Sequence, residues 1–131
     1  MDKKTHGKII AALRKLTFAY PPRNVVKKKQ KVAPATYQCE QCSQIVYEGR
    51  KELVDTGLLE DYPEAIKGKV HVDHIVPTIP LKGFKNTVWD WNEYIENMFC
   101  GEEGLQLLCK PCHDEKTKKE NELRRKYKKK K

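Results

Sequence analysis

Four cysteines stand in two pairs of equal spacing, Cys39-Glu-Gln-Cys42 and Cys109-Lys-Pro-Cys112. A two-residue gap lets both thiolates of a pair reach one ion at ~2.3 Å, and two pairs complete a tetrahedral site. A single such pair can also be a redox motif. Two pairs in one small chain are much more specific, and they point to zinc. Four thiolates leave no open position, so this zinc is read as structural. The fifth cysteine, Cys100, reads as a buried thiol at the end of a helix.

The second group with chemistry in it is "HVDHIVP", residues 71–77, together with His113 directly after Cys112. Asp73 offers a hard oxygen and His113 an imidazole nitrogen. Together they can hold a divalent ion and leave positions open for phosphate and water. His74 points to the opposite face of an ideal strand. At a strand end or bulge it can still reach a water beside the ion, and a neutral imidazole can take that proton. His71 shares Asp73's face and reads as a surface or supporting histidine. Lys116 lies one turn after His113 on the same helix face, where it can meet either phosphate or solvent. His6 has no role assigned to it.

Several elements must position these residues. "THGKIIAALRKLTFAYPP" reads as a helix with Ile9, Leu13, Leu16 and Tyr20 on one face, Thr5 as its cap and Pro21-Pro22 as its end. "RNVVKKKQKVAPAT" reads as a basic linker or arm. The first cysteine knuckle leads into a short strand at Ile45–Tyr47, and residues 49–68 read as a polar insertion of weak helical character. "KGKVHVDHIVP" alternates, with Val70 and Val72 on one face and His71 and Asp73 on the other. "DWNEYIENMF" reads as a helix with a core stripe of Trp91, Tyr94, Ile95, Met98 and Phe99, opened by an Asp90/Glu93 capping box. "GLQLLC" reads as a strand, followed by the second knuckle and a helix that fades into a lysine tail.

Charge is unevenly placed over the 131 residues, whose net charge is +9. Residues 1–31 hold ten Lys/Arg against one acid, and residues 118–131 hold nine against two. The middle, 32–117, holds eight against fifteen. An acidic centre between basic arms suits a polyanion partner. With 38% hydrophobic and 34% charged residues, a large buried core is not expected, and a metal staple would offset a thin one. No stretch is long enough to cross a membrane, and the N-terminus lacks the pattern of a signal peptide, so an intracellular, cytoplasmic setting is expected.

"CEQC … HVDHIVP … GLQLLCKPCHDEKT" resembles the HNH endonuclease family in the form stapled by a four-cysteine zinc. It is similar to the small HNH proteins of bacteriophages, which share a helical, "YPPR"-like N-terminal part and an aromatic helix before the second knuckle. The resemblance covers roughly residues 8–118. It implies an α+β chain built on a small ββα-metal, treble-clef-like finger, with an N-terminal helix and basic tails. The chain then divides into an N-terminal helix and basic arm (1–35), an HNH nuclease domain (36–118) and a basic tail (119–131).

On the resemblance, Asp73 and His113 would hold a catalytic Mg²⁺, Mn²⁺ or Ni²⁺, and His74 would be the general base. Cys39, Cys42, Cys109 and Cys112 would hold structural Zn²⁺. The substrate would be a DNA phosphodiester, contacted by Lys116, Lys27, Lys28, Lys29, Arg124 and Arg125. If phage-encoded, the protein would work in the host cytoplasm. The family's middle Asn falls at Gly104, so this chain reads H-G-H, with Asn86, Asn92 or Asn97 as substitutes. Two other readings stay open: a non-catalytic, zinc-stapled nucleic-acid-binding module, and an accessory that works with phage DNA-packaging proteins.

Overall fold

A computed structural model describes residues 1–48, 61–84 and 88–129. Most of the expected polar insertion, residues 49–60, and Asn86 lie outside the described residues. The first helix, α1 (Lys3–Thr17), is capped by Asp2, whose carboxylate accepts from the Thr5 amide at 2.7 Å. Thr5 itself is therefore in the first turn and not the cap. Of the expected inward residues of this segment, Ile9, Leu13 and Tyr20 are partly buried and Leu16 is not. His6, Ile10, Leu13 and Thr17 face inward, while Leu16 is 59% exposed. His6 packs against the rings of Trp89 and Trp91 at 4.5 and 4.8 Å.

The segment expected to be a linker is a helix. α2 (Pro21–Lys29) has its two prolines in the first turn, where a missing N–H costs nothing and the fixed φ suits helix entry. Pro21-Pro22 thus ends α1 by starting α2. Val26 anchors α2 in the main core. A hairpin follows, β1 (Lys31–Ala33) and β2 (Thr36–Gln38), and β2 pairs antiparallel with β3 (Ile45–Tyr47). A two-residue β4 (Ile66–Lys67) adds to β3 in parallel. The second sheet is a separate antiparallel pair, β5 (Val70–His74) with β6 (Leu105–Cys109), in which Asp73 lies opposite Gln106. Between these strands runs α3 (Trp91–Met98), capped by Asp90 through the Glu93 amide at 3.1 Å. The last helix, α4 (Lys110–Lys129), runs unbroken through residue 118. Residues 119–129 are thus its second half and not a fading tail.

The chain is a small mixed α+β protein with two thin cores. The main one joins Val26, Val46, Val70, Leu105, Leu107 and Leu108 to three of the cysteines. Leu107 and Leu108 alternate to opposite faces of β6 and are both fully buried, because α2, α4 and β2 all touch that strand. Truncating either leucine to Ala should cost ~2–5 kcal/mol. The second core sets Ile10 and Leu13 of α1 against Tyr94 and Met98 of α3. No helix among the described residues is long and apolar enough to cross a membrane.

Packing also explains Gly104, which sits in a single 3-10 turn before β6. A Cβ added there would lie 2.7 Å from the Cys100 sulfur and 3.1 Å from its Cβ. Any side chain at 104, asparagine included, would require Cys100 to shift. Gly104→Ala should therefore destabilise the fold by ~1–3 kcal/mol in denaturant titrations. Part of that loss should return in a Cys100→Ala background, as coupled neighbours require. An additive double mutant would contradict the packing account.

Candidate functional site

Two centres share the corner where β6 enters α4. The first is the cysteine cluster. Cys39 follows β2 and Cys42 precedes β3, joined by a tight knuckle in which Ser43 takes a left-handed φ of 64° and its amide bonds the Cys39 carbonyl at 3.0 Å. Cys109 ends β6 and Cys112 lies in the first turn of α4. Glu40, inside the knuckle, ties it to β6: its amide donates to the Leu107 carbonyl at 2.9 Å, and its carboxylate accepts from the Leu107 amide. The four ligand sulfurs lie within 4.8 Å of one another, with Cys42 and Cys109 at 3.6 Å. A tetrahedral ion with 2.3 Å bonds sets its sulfurs about 3.8 Å apart. A disulfide would need about 2.05 Å, and all five cysteines are free. The cluster therefore fits a structural metal such as zinc.

The thiol chemistry agrees. Burial pushes Cys109 and Cys112 up, and Cys112 is raised further by its three neighbouring thiols. Burial also raises Cys39, but the backbone N–H groups of Cys42, Cys109 and Gln41 outweigh it and bring that thiol down to about 7. Four thiolates this close repel one another unless a cation sits among them. Cys100 stands outside the cluster, and burial raises its pKa.

The second centre is a polar cleft of about 200 Å³ between the end of β5, the chain just after it and α4. Asp73 Oδ1 lies 3.8 Å from His113 Nε2. Two metal–ligand bonds of ~2.1 Å span at most about 4.2 Å, so one ion can touch both atoms with small side-chain rotations. Oxygen plus imidazole is a donor set that divalent ions accept. The other carboxylate oxygen, Oδ2, accepts from Gln106 Nε2 at 3.1 Å and from Lys116 Nζ at 3.0 Å. Lys116 also donates to the His74 carbonyl at 3.0 Å and pairs with Glu120. Burial alone would lower the Lys116 ammonium's pKa, but Glu120 and Asp73 together raise it.

His74 turns the other way, toward the end of α3. Its Nε2 lies 2.7 Å from the Met98 carbonyl, one of the acceptors that a helix end leaves unpaired. A carbonyl can only accept, so Nε2 carries the proton and Nδ1 of the neutral ring is the acceptor. Nearby, the Tyr20 hydroxyl lies 2.8 and 2.9 Å from the carbonyls of Phe99 and Cys100, and the Asn97 amide donates to the Thr78 carbonyl at 3.2 Å. His71 stacks on His113, ring centroids 4.6 Å apart and planes 20° apart. Its pKa is lowered, first by burial and then by the charge of His113.

Asp73, His74, His113, Lys116 and Arg124 all line the cleft. The remaining cations named from the sequence do not. Lys27 pairs with Glu48 at 3.2 Å and Lys29 with Glu102 at 2.5 Å, so both help dock α2. Lys28 is exposed on α2. Arg124 donates to the Ile79 carbonyl at 3.0 Å, and Arg125 is exposed with a weak 3.4 Å bond to the Asn121 carbonyl. Gln106, Glu120 and Met98 were missed. Glu120 had a signal in its spacing, four residues after Lys116 and seven after His113. Gln106 and the Met98 carbonyl follow from strand register and helix docking, which spacing does not reveal.

No protein-family model matches the chain, and searches of curated proteins and of solved structures returned no match.

One zinc per chain is expected by elemental mass spectrometry. Cys39→Ser or Cys112→Ser should release it and unfold the β6–α4 corner, since zinc sites of this kind carry ~10 kcal/mol or more of folding energy. Cys100→Ser should keep the full zinc content. Loss of zinc from Cys100→Ser, or retention in the other two, would contradict the ligand assignment.

Proposed function

We propose that this chain is a metal-dependent DNA endonuclease of the HNH type. The observation that carries the reading is the approach of Asp73 and His113 to 3.8 Å, with His74 next to Asp73 in the strand, on two antiparallel strands and a helix gathered at a four-cysteine cluster. β5, β6 and the first half of α4 are the members that a ββα-metal finger would use. A Mg²⁺, Mn²⁺ or Ni²⁺ ion held by Asp73 and His113 would supply Lewis-acid stabilisation of the charge that develops on the phosphodiester.

The chain's own residues do the rest. His74, with Nε2 bonded to Met98, offers Nδ1 to take the proton of a water attacking in line with the 3′ leaving oxygen. The products are a 5′-phosphate and a 3′-hydroxyl. The family's middle Asn ties the loop that aims this histidine. Here Asn97 and the Met98 carbonyl can take over that task, since they brace Thr78 and His74 against α3. Gln106 holds the Asp73 carboxylate in place across the strand pair. Lys28 on α2 and the exposed cations of α4, Arg125 among them, would neutralise DNA phosphates without reading bases.

A second reading, a non-catalytic zinc module that binds nucleic acid, is favoured by one observation: Asp73 already has a cation, the Lys116 ammonium, on its Oδ2.

Supercoiled plasmid separates the two. With Mg²⁺, Mn²⁺ or Ni²⁺ the wild-type protein should nick, and EDTA should stop it. His74→Ala should lose ~10²-fold or more in rate with its zinc content intact. Zinc-loaded wild-type protein that nicks under none of the three ions would favour the non-catalytic module.

A further inference from the structure

Lys116 makes more contacts to the cleft than a phosphate-reaching lysine needs. Its ammonium bonds the Asp73 carboxylate and the His74 carbonyl, both at 3.0 Å, and Glu120 one helical turn on. It is 21% exposed, against 13% for Asp73 and 18% for Glu120, so all three charges are largely withdrawn from water. A buried cation is tolerated only when it is paired, and here two carboxylates flank one ammonium. Arg124 lies 4.0 Å from Glu120 and limits the remaining negative charge. The two oxygens of Asp73 are thereby divided. Oδ1 faces His113, and Oδ2 is shared between Lys116 and Gln106.

We propose that Lys116 is the resident counter-ion of Asp73, a positioning residue that opposes divalent-ion binding until a substrate phosphate draws the ammonium away. The inference rests on Asp73 and His113 being the metal pair. The physical reason is direct. An ammonium on one carboxylate oxygen repels a dication on the other and removes part of the charge that would hold it. A phosphodiester entering the cleft offers the same ammonium two anionic oxygens in place of a shared carboxylate and a carbonyl. Release of Oδ2 then strengthens Asp73 as a ligand. Metal and DNA thus promote each other's binding, as thermodynamic linkage requires. Glu120, on the turn behind, keeps the lysine extended across the cleft in both states.

The test uses Mn²⁺ alone, titrated into the zinc-loaded full chain and followed by electron paramagnetic resonance. Lys116→Met, close in length and uncharged, should bind Mn²⁺ about tenfold more tightly than wild type, a size usual for changes next to a metal ligand but of the opposite sign. At saturating Mn²⁺ the same variant should nick plasmid more slowly, because the phosphate has lost its ammonium. Lys116→Arg keeps the charge and should stay near the wild-type affinity, and zinc content reports whether each variant is folded. Mn²⁺ binding that is equal or weaker in Lys116→Met, yet abolished by Asp73→Ala, would overturn the counter-ion role alone. Wild-type Mn²⁺ binding that is insensitive to Asp73→Ala would overturn the metal-pair reading and this inference with it.

Discussion

The corner between β6 and α4 depends on four sulfur atoms within 4.8 Å of one another. They join segments sixty-seven residues apart, and everything in the polar cleft lies between those two anchors or on the helix that starts from them. Without the cluster the main core is a handful of aliphatic side chains around β6, too small to hold a helix in register against a two-stranded sheet. With it, His113 is fixed one residue after Cys112, at the height of Asp73. Glu40 and the left-handed Ser43 serve the same end, keeping the knuckle tight against β6.

That anchorage lets α4 break a packing rule. The inward face of a helix in a small protein is normally apolar. Here it carries His113, Lys116, Glu120 and Arg124, each partly buried and each meeting a charged or carbonyl partner. Such a face contributes little to stability, and burying its charges is costly unless they stay paired. Departures of this kind concentrate at functional sites. Behind Asp73 the chain is held in a similar way: carbonyls left unpaired where α3 ends bond His74 and Tyr20, so a helix terminus fixes the histidine ring.

Much of this was legible in the sequence, and the limits are instructive. The paired cysteines, the alternation that sets Val70 and Val72 against His71 and Asp73, and the Asp90 cap all rest on local spacing, and the structure has each of them. α2 was missed because two prolines and a run of lysines look like a linker, yet proline is at home in a helix's first turn. On α1 the expected inward Leu16 is exposed, and the contact of His6 with two tryptophans is one that no periodicity of Ile and Leu contains. Gly104 looked like a lost residue. Its meaning needs Cys100, whose sulfur fills the space a side chain would take. Gln106, Met98 and the ammonium on Asp73 are consequences of register and docking, which lie beyond what spacing can report.

The most direct measurement is anomalous diffraction from crystals of the zinc-loaded protein soaked in Mn²⁺, collected at both metal edges. The expected maps show zinc among Cys39, Cys42, Cys109 and Cys112, and manganese between Asp73 Oδ1 and His113 Nε2. A manganese peak elsewhere, or none at full soak while zinc is present, would contradict the assignment of Asp73 and His113 as the metal pair.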